Sequence, residues 1–340
     1  MTTNTTKIAI VKDYLALTKP RVTWLIVVTT AVGYFFGAKH GPWDGATILR
    51  LAHTLTGTAL LASATAALNE WYEWESDAKM RRTSRRPLPA GRIEPTRALI
   101  FGILLAALGA AELVWAVNLR TATIGSTTIG SYLFVYTPLK RYSPLSTIAA
   151  AFAGAMPPLI GYAAANGNLS AEAWALAAIL FVWQIPHSLA IAWMYRDDYA
   201  RAGIRMLPVI EPDGKSTTRH IVAFASTLIP VSLFPVLLGM TGQIYFVGAL
   251  VLGGCFLYYG IRVAMERTNI RARQVLLASV VYLPLIMGYS SSTGEVFESA
   301  DCRDTIRPRS SASFSRVHLL RLTVKGHAPD ERAIGKPASR

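Results

Sequence analysis

The stretch ATILRLAHTLTGTALLASATAALNEWYEWESDAKMRRTSRRPLPAGR, residues 46–92, starts as a run of apolar and small residues and ends in interleaved acids, aromatics and arginines. A bilayer-crossing helix needs about 20 mostly apolar residues, and residues 46–68 supply them. The abrupt change at Asn69 reads as a helix leaving lipid at a charged surface. Working outward, eight more apolar runs of that kind occur, at 22–38, 98–117, 121–138, 145–165, 172–194, 219–240, 243–263 and 272–290. Several contain Gly or Pro, which membrane helices tolerate because neighbouring groups satisfy the freed backbone. The expected fold is all-α, a polytopic membrane helix bundle of about nine transmembrane helices.

Composition agrees with lipid as the solvent. Of 340 residues, 52% are hydrophobic and only 16% charged, and the mean hydropathy is +0.35, well above what a water-soluble core requires. A net charge of +14 in a soluble protein would raise nucleic acid as a partner. Here the cations sit in short runs between spans, so they report topology and nucleic acid is excluded. With the N-terminus cytoplasmic, the loops on that side carry 22 Lys or Arg, against Lys39, Arg50 and Arg120 on the other side before the tail. The positive-inside rule therefore puts the N-terminus and both long acidic loops, after the second and sixth spans, in the cytoplasm of a bacterial cell, with the chain multi-pass in the inner membrane. The N-terminus shows no convincing small-residue cleavage site, so the first span is expected to be retained. The two cysteines, Cys255 and Cys302, exclude a disulfide framework or a cysteine metal site. The expected organisation is a cytoplasmic segment at 1–21, a membrane domain at 22–290, and a Ser-, Arg- and Asp-rich tail at 291–340 that is expected to be disordered. The two acidic loops lie four spans apart, which admits an internal four-helix repeat or coincidence.

Asn69, Glu73 and Asp77 recur every fourth position. If the second helix continues past the membrane surface they share one face, rotating about 40° per step over roughly 12 Å. An amide and two carboxylates are hard oxygen donors suited to Mg2+, which is commonly shared between carboxylates and substrate phosphates. The alternative reading of the same spacing is acids that solvate a loop. Lys79, Arg82 and Arg86 follow directly, with Arg82 and Arg86 four apart as the best phosphate pair. Lys140 and Arg141 lie in the next loop on the same side. In the second acidic loop Tyr195, Asp197 and Asp198 stand where the sixth span ends, able to hold a second metal or merely to solvate a helix end. His187, in WQIPH, is an ionisable group at membrane depth and suggests function by default, against a neutral histidine bonded to a carbonyl freed by Pro186.

These strings resemble the UbiA prenyltransferase family. Asn69 to Asp77 is similar to its Asn-x-x-x-Asp-x-x-x-Asp signature, with Glu73 in the middle acidic position. DAKMRRTSRRPLPAGR resembles the protoheme IX farnesyltransferase (heme O synthase) branch, as do LTKPRV at 17–22, YTPLKR at 136–141, GAMPPLIGYAA at 154–164, WQIPH at 183–187 and YRDDYARAGIRMLPV at 195–209. The resemblance covers about residues 12–288 and implies a UbiA-type fold and a Mg2+-dependent transfer of the farnesyl group of farnesyl diphosphate to a vinyl group of protoheme IX, giving heme O. It implies catalytic Asn69, Glu73, Asp77, Asp197 and Asp198, with metal ligands Asn69, Glu73, Asp77 and Asp198. Diphosphate contacts would come from Lys79, Arg82, Arg86, Lys140, Arg141 and Tyr195, a heme contact from His187, and cation-steadying aromatic faces from Trp71, Tyr72 and Tyr136. It also admits association with a heme A synthase. Two departures are visible: Glu73 lengthens a ligand arm by a methylene, and Ala202 follows Asp198 where relatives often place a further aspartate. The rival readings are a UbiA-type enzyme acting on an aromatic or chlorophyllide acceptor, a membrane transporter, and a heme electron carrier with His53 as the one conceivable partner for His187.

Overall fold

The computed structural model describes residues 2–39 and 41–301, and among these every regular element is helical. In chain order the helices are α1 (Thr2–Leu17), α2 (Pro20–Gly37), α3 (Gly45–Ala78), α4 (Pro95–Ala116) and α5 (Leu119–Gly130), which runs through a π-helical turn (Ser131–Tyr136) into α6 (Thr137–Leu139). They continue as α7 (Ser146–Gly154), α8 (Met156–Asn166), α9 (Ala171–Met194), α10 (Arg196–Arg201), α11 (Leu207–Ile210), α12 (Lys215–Ser232), α13 (Phe234–Leu237), α14 (Gln243–Glu266) and α15 (Asn269–Asp301).

Seven helical stretches are long and apolar enough to cross a membrane, and a bent pair formed by the second half of α1 and α2, at 46°, makes an eighth. The remaining expected span, 121–138, is helical but rich in Thr, Ser, Gly and Tyr, so composition alone does not mark it. Three boundaries differ from expectation. The segment before residue 22 holds a helix of its own, α1. The run at 145–165 is two helices, because Pro157 and Pro158 at the start of α8 lack N–H groups and disfavour helix in the residue before them. The last helix continues past Ser290 to Asp301; the rest of the 291–340 tail lies outside the described residues.

Local chemistry explains the helix ends. Asp44 caps α3 by accepting from the Thr47 amide at 2.8 Å, and Ser170 caps α9 in the same way through Glu172, satisfying amides that a helix start leaves orphaned. Pro95 opens α4, where its missing N–H costs nothing. Trp43, Trp115 and Trp174, all exposed, ring the end of the bundle opposite the acidic loops, where amphipathic indoles favour the membrane–water boundary.

Helix α9 is the central post, packed against α2, α7, α8, α12 and α15. Its Leu176, Ile179, Ile185 and Leu189 join Leu159 of α8, Ile221 and Leu228 of α12 and Phe256 of α14 in the main core. Helices α2 and α8 approach backbone to backbone at Gly33 and Gly161, where an added Cβ would overlap Pro158 and the Thr30 carbonyl. Close approach of small residues is how helices associate where lipid supplies no hydrophobic drive.

The length of α3 positions the chemistry. Its 34 residues span about 50 Å at the α-helical rise, against about 30 Å for the hydrocarbon core. The final turns, carrying Asn69 to Asp77, therefore stand at the polar rim on the same end as α6, α10 and α11.

Candidate active site

Asn69, Glu73 and Asp77 share one face of α3, as their spacing predicts, and all three are buried. Burial of an amide and two carboxylates demands partners, and each has one. The Asn69 side-chain amide donates to Glu73 at 3.1 Å, and its oxygen accepts from the Thr137 hydroxyl at 3.1 Å. Lys140 Nζ lies 2.7 Å from the Glu73 carboxylate, and Arg86 lies 2.5 Å from Asp77. Burial works against the Lys140 charge most strongly, yet the Glu73 carboxylate beside it, together with Tyr132 and Tyr199, outweighs that and holds the ammonium above its ordinary pKa. The π-helical turn preceding α6 sets Tyr132 and Tyr136 edge to face at 4.7 Å, with the Lys140 ammonium over the Tyr136 ring at 4.5 Å. Such wide turns disturb helix register and recur at functional sites.

The second acidic patch forms where α9 breaks into α10 at Tyr195. Asp198 is buried, accepts from the Arg82 backbone amide at 3.3 Å and pairs with Arg201. The Arg82 guanidinium lies over the Tyr195 ring at 4.9 Å and donates to the Tyr199 hydroxyl at 3.4 Å. The Arg205 amide donates to the Lys140 carbonyl at 2.8 Å. Loops more than a hundred residues apart are thus stitched into one rim, and the two acidic patches open at the same end of the bundle.

Several expected residues take other places. Arg82 and Arg86 do not form a side-by-side pair, because residues 79–94 turn irregularly and send Arg82 to the second patch and Arg86 to the first. Lys79 is exposed at the end of α3, and Asp197 is exposed beside buried Asp198. Arg141 reaches Ser76 at 3.3 Å and the face of Tyr72 at 5.9 Å. Trp71 packs with Leu17, Ala67 and Leu88, away from the tyrosine pair. Sequence reading missed four partners. Thr137 and Tyr199 lie inside motifs already quoted and Tyr132 just outside one, but nothing in their spacing announces the contact. Glu70, off the face shared by Asn69, Glu73 and Asp77, is buried with its Oε1 unpartnered, within electrostatic reach of Arg86 and Lys19. Lys19 itself occupies the left-handed region, φ 46°, at the joint between α1 and α2, an uncommon conformation for a non-glycine residue.

His187 lies deeper along α9. Its Nδ1 is 2.8 Å from the Ser279 hydroxyl and its ring stacks on Trp183 at 4.6 Å. Gln184, His187, Ser188, Ile191 and Tyr195 are half-exposed, whereas Ile185, Pro186, Leu189, Ala190 and Ala192 between them are buried. That spacing is one helical face, half-buried from His187 to the acidic rim about 12 Å away by helical rise. His53, by contrast, pairs with Glu112 at 2.7 Å, so it does not face His187 as a second axial ligand would.

The UbiA prenyltransferase family model matches residues 26–283. The chain belongs to the UbiA prenyltransferase family. It is 58% identical over 282 residues to a protoheme IX farnesyltransferase of Solibacter usitatus, covering 82% of this chain and 97% of that one. A protoheme IX farnesyltransferase of Koribacter versatilis is 47% identical, covering 82% and 92%. Among solved structures, the chain resembles a UbiA homologue from Archaeoglobus fulgidus bound to DMAPP and Mg2+, with a TM-score of 0.60, 17% identity and coverage of 84% and 99%. The chain is thus a multi-pass membrane protein with the UbiA fold.

Among the described residues no three His, Cys, Asp or Glu side chains are already gathered as a metal cage. The donor set nevertheless suits a hard cation that arrives with phosphate oxygens. Asn69, Glu73, Asp77 and Asp198 are all oxygen donors, three of them held by cations that a diphosphate would draw away, and Glu70 keeps a buried oxygen without a partner.

Proposed function

We propose that this UbiA-family chain transfers a farnesyl group from farnesyl diphosphate to a vinyl group of protoheme IX, yielding heme O and diphosphate, at the cytoplasmic rim of the bacterial inner membrane. The observation that carries the proposal is the joining of the two acidic patches into one rim through Arg82, Asp198, Lys140 and Glu73. The names of the most similar relatives support the acceptor, and the neighbour with DMAPP and Mg2+ supports a metal-bound allylic diphosphate. The surplus of basic residues at the rim supports its cytoplasmic orientation.

The chemical task is charge separation. The allylic C–O bond breaks, its electron pair leaves with the diphosphate, and a delocalised cation remains in the apolar bundle. The terminal vinyl carbon attacks that cation; water then adds to the carbon left positive next to the porphyrin ring and loses a proton, giving the hydroxyethylfarnesyl group. Mg2+, held by Asn69, Glu73, Asp77 and Asp198, would supply positive charge to the leaving group. Arg82, Arg86, Lys140 and Arg141 add fixed cations around the same oxygens, and fixed charges in a poorly solvating site lower a barrier without reorganising. Tyr132 and Tyr136 present aromatic edges and faces beside the path of the cation. The half-exposed face of α9 from Tyr195 to His187 offers the acceptor a wall, with His187 as its contact.

The test is direct. Membranes containing the protein are incubated with protoheme IX, farnesyl diphosphate and Mg2+, and the porphyrin product is weighed by mass spectrometry. A product heavier by one farnesyl group and one hydroxyl group is expected. Prenylation of a hydroxybenzoate or chlorophyllide instead of protoheme would overturn the acceptor, and no prenylated product at all would overturn the enzyme.

A further inference from the structure

The Ser279 hydroxyl stands between two groups. It lies 2.6 Å from the Leu276 carbonyl, to which it donates, and 2.8 Å from His187 Nδ1. A serine hydroxyl carries one proton, and a carbonyl oxygen can only accept, so the shorter contact takes that proton. Toward His187 the Ser279 oxygen is therefore an acceptor, and Nδ1 must carry the hydrogen. The other ring nitrogen, Nε2, is then the one with the free lone pair. The ring is held in this orientation from two sides. It stacks on Trp183 with planes 23° apart, and the Trp183 indole N–H donates to the Ser279 carbonyl at 2.8 Å, tying the stacking partner to the residue that holds Nδ1. Among the described residues Nε2 makes no hydrogen bond, and the side chain lies on the half-buried face of α9 that leads to the acidic rim.

We propose that Ser279 is a positioning residue that locks His187 as the Nδ1–H tautomer and aims Nε2 at the iron of the porphyrin acceptor, making it a weak, releasable axial ligand. This rests on the heme-prenylating function above. Resident metal-binding histidines usually donate their second N–H to a carboxylate or carbonyl, which raises ligand basicity and tightens the bond. Here the acceptor is a neutral hydroxyl whose own proton is committed to a carbonyl, so it withdraws little of the Nδ1–H charge. A modestly basic Nε2 suits a substrate that must be oriented and then released, whereas a carboxylate in its place would retain the product.

The full-length protein in lipid nanodiscs, without prenyl diphosphate, is titrated with ferric protoheme IX while its visible and electron paramagnetic resonance spectra are followed. The wild type is expected to show nitrogen ligation. His187→Ala should lose that signature and regain it with added imidazole. Ser279→Ala should weaken heme binding by about tenfold, the lower end of the range for such supporting partners, while Ser279→Thr, which keeps the hydroxyl, should stay within about threefold of the wild type on the same scale. A His187→Ala spectrum identical to the wild type would overturn iron ligation, and a Ser279→Ala protein indistinguishable from the wild type would overturn the tautomer lock. Product formation from the same preparation reports separately: farnesylated heme made by a wild type without nitrogen ligation sinks the inference and leaves the enzyme standing, whereas no product sinks the function on which it rests.

Discussion

The two acidic patches of the rim are built differently. On α3 the three donors follow a continuous helix face, all buried, with partners from two other parts of the chain: Lys140 and Thr137 from one, Arg86 from the irregular loop. At the α9–α10 break the acids are sequence neighbours, and only Asp198 is buried, its exposed neighbour Asp197 reaching water. Regular helix repeats geometry every four residues and can bury a whole series of donors; a helix break exposes one side chain while hiding the next. The α3 patch is therefore less tolerant of change than the α10 patch.

The largest expected effect falls on the α3 patch. Asp77→Ala or Asn69→Ala should lower product formation by about a thousandfold, the upper range for losing one preorganised charge-stabilising group, with membrane insertion intact by protease protection. Full activity in both variants would remove the metal assignment. Next comes the buried ion pair. Lys140→Met leaves the Glu73 carboxylate buried without its counter-ion, and breaking a buried pair costs about 3–5 kcal/mol, so the unfolding midpoint in detergent should fall clearly. Adding Glu73→Gln should recover most of that stability without recovering turnover. Recovery of both would mean that the pair serves folding alone.

The α10 patch should respond unequally. Asp198→Asn is expected to cost about a hundredfold in activity, and Asp197→Asn, at an exposed position, less than about threefold, near the usual neutrality of surface changes. Equal losses would erase the distinction between the patches. Glu73→Asp, which shortens the arm by a methylene, should fall between those two: activity should stay within about tenfold of wild type, and the Mg2+ concentration for half-maximal rate should rise, since Mg2+ is strict about geometry.

Much of the site was legible in the sequence where spacing and secondary structure coincide. Asn69, Glu73 and Asp77 were readable because a helix turns apolar span into polar rim without a break, so period four survives into the structure. Arg82 and Arg86 misled for the converse reason: period four was applied to a loop of turns, and the two guanidinium groups diverge to different patches. Glu70 and Thr137 were missed because their surroundings come from the 83–93 loop and from α6, and contact across such distances leaves no trace in local spacing. The helix over 121–138 was readable from sequence as a helix, although its polar side chains keep it from being marked as a membrane span by composition.

By itself the amino-acid order determined that this chain lives in lipid, that it is helical, and which end of the bundle carries its charge, because bilayer thickness and hydrophobic periodicity act on every stretch independently of the others. Only the tertiary structure decided that the two acidic loops meet, that Lys140 goes to Glu73 and Arg86 to Asp77, and that Ser279 of the last helix holds His187 of the central one. Those pairings depend on which helices pack side by side, and packing is settled by the shapes of all the helices together, as at Gly33 and Gly161, where the missing Cβ lets two backbones touch.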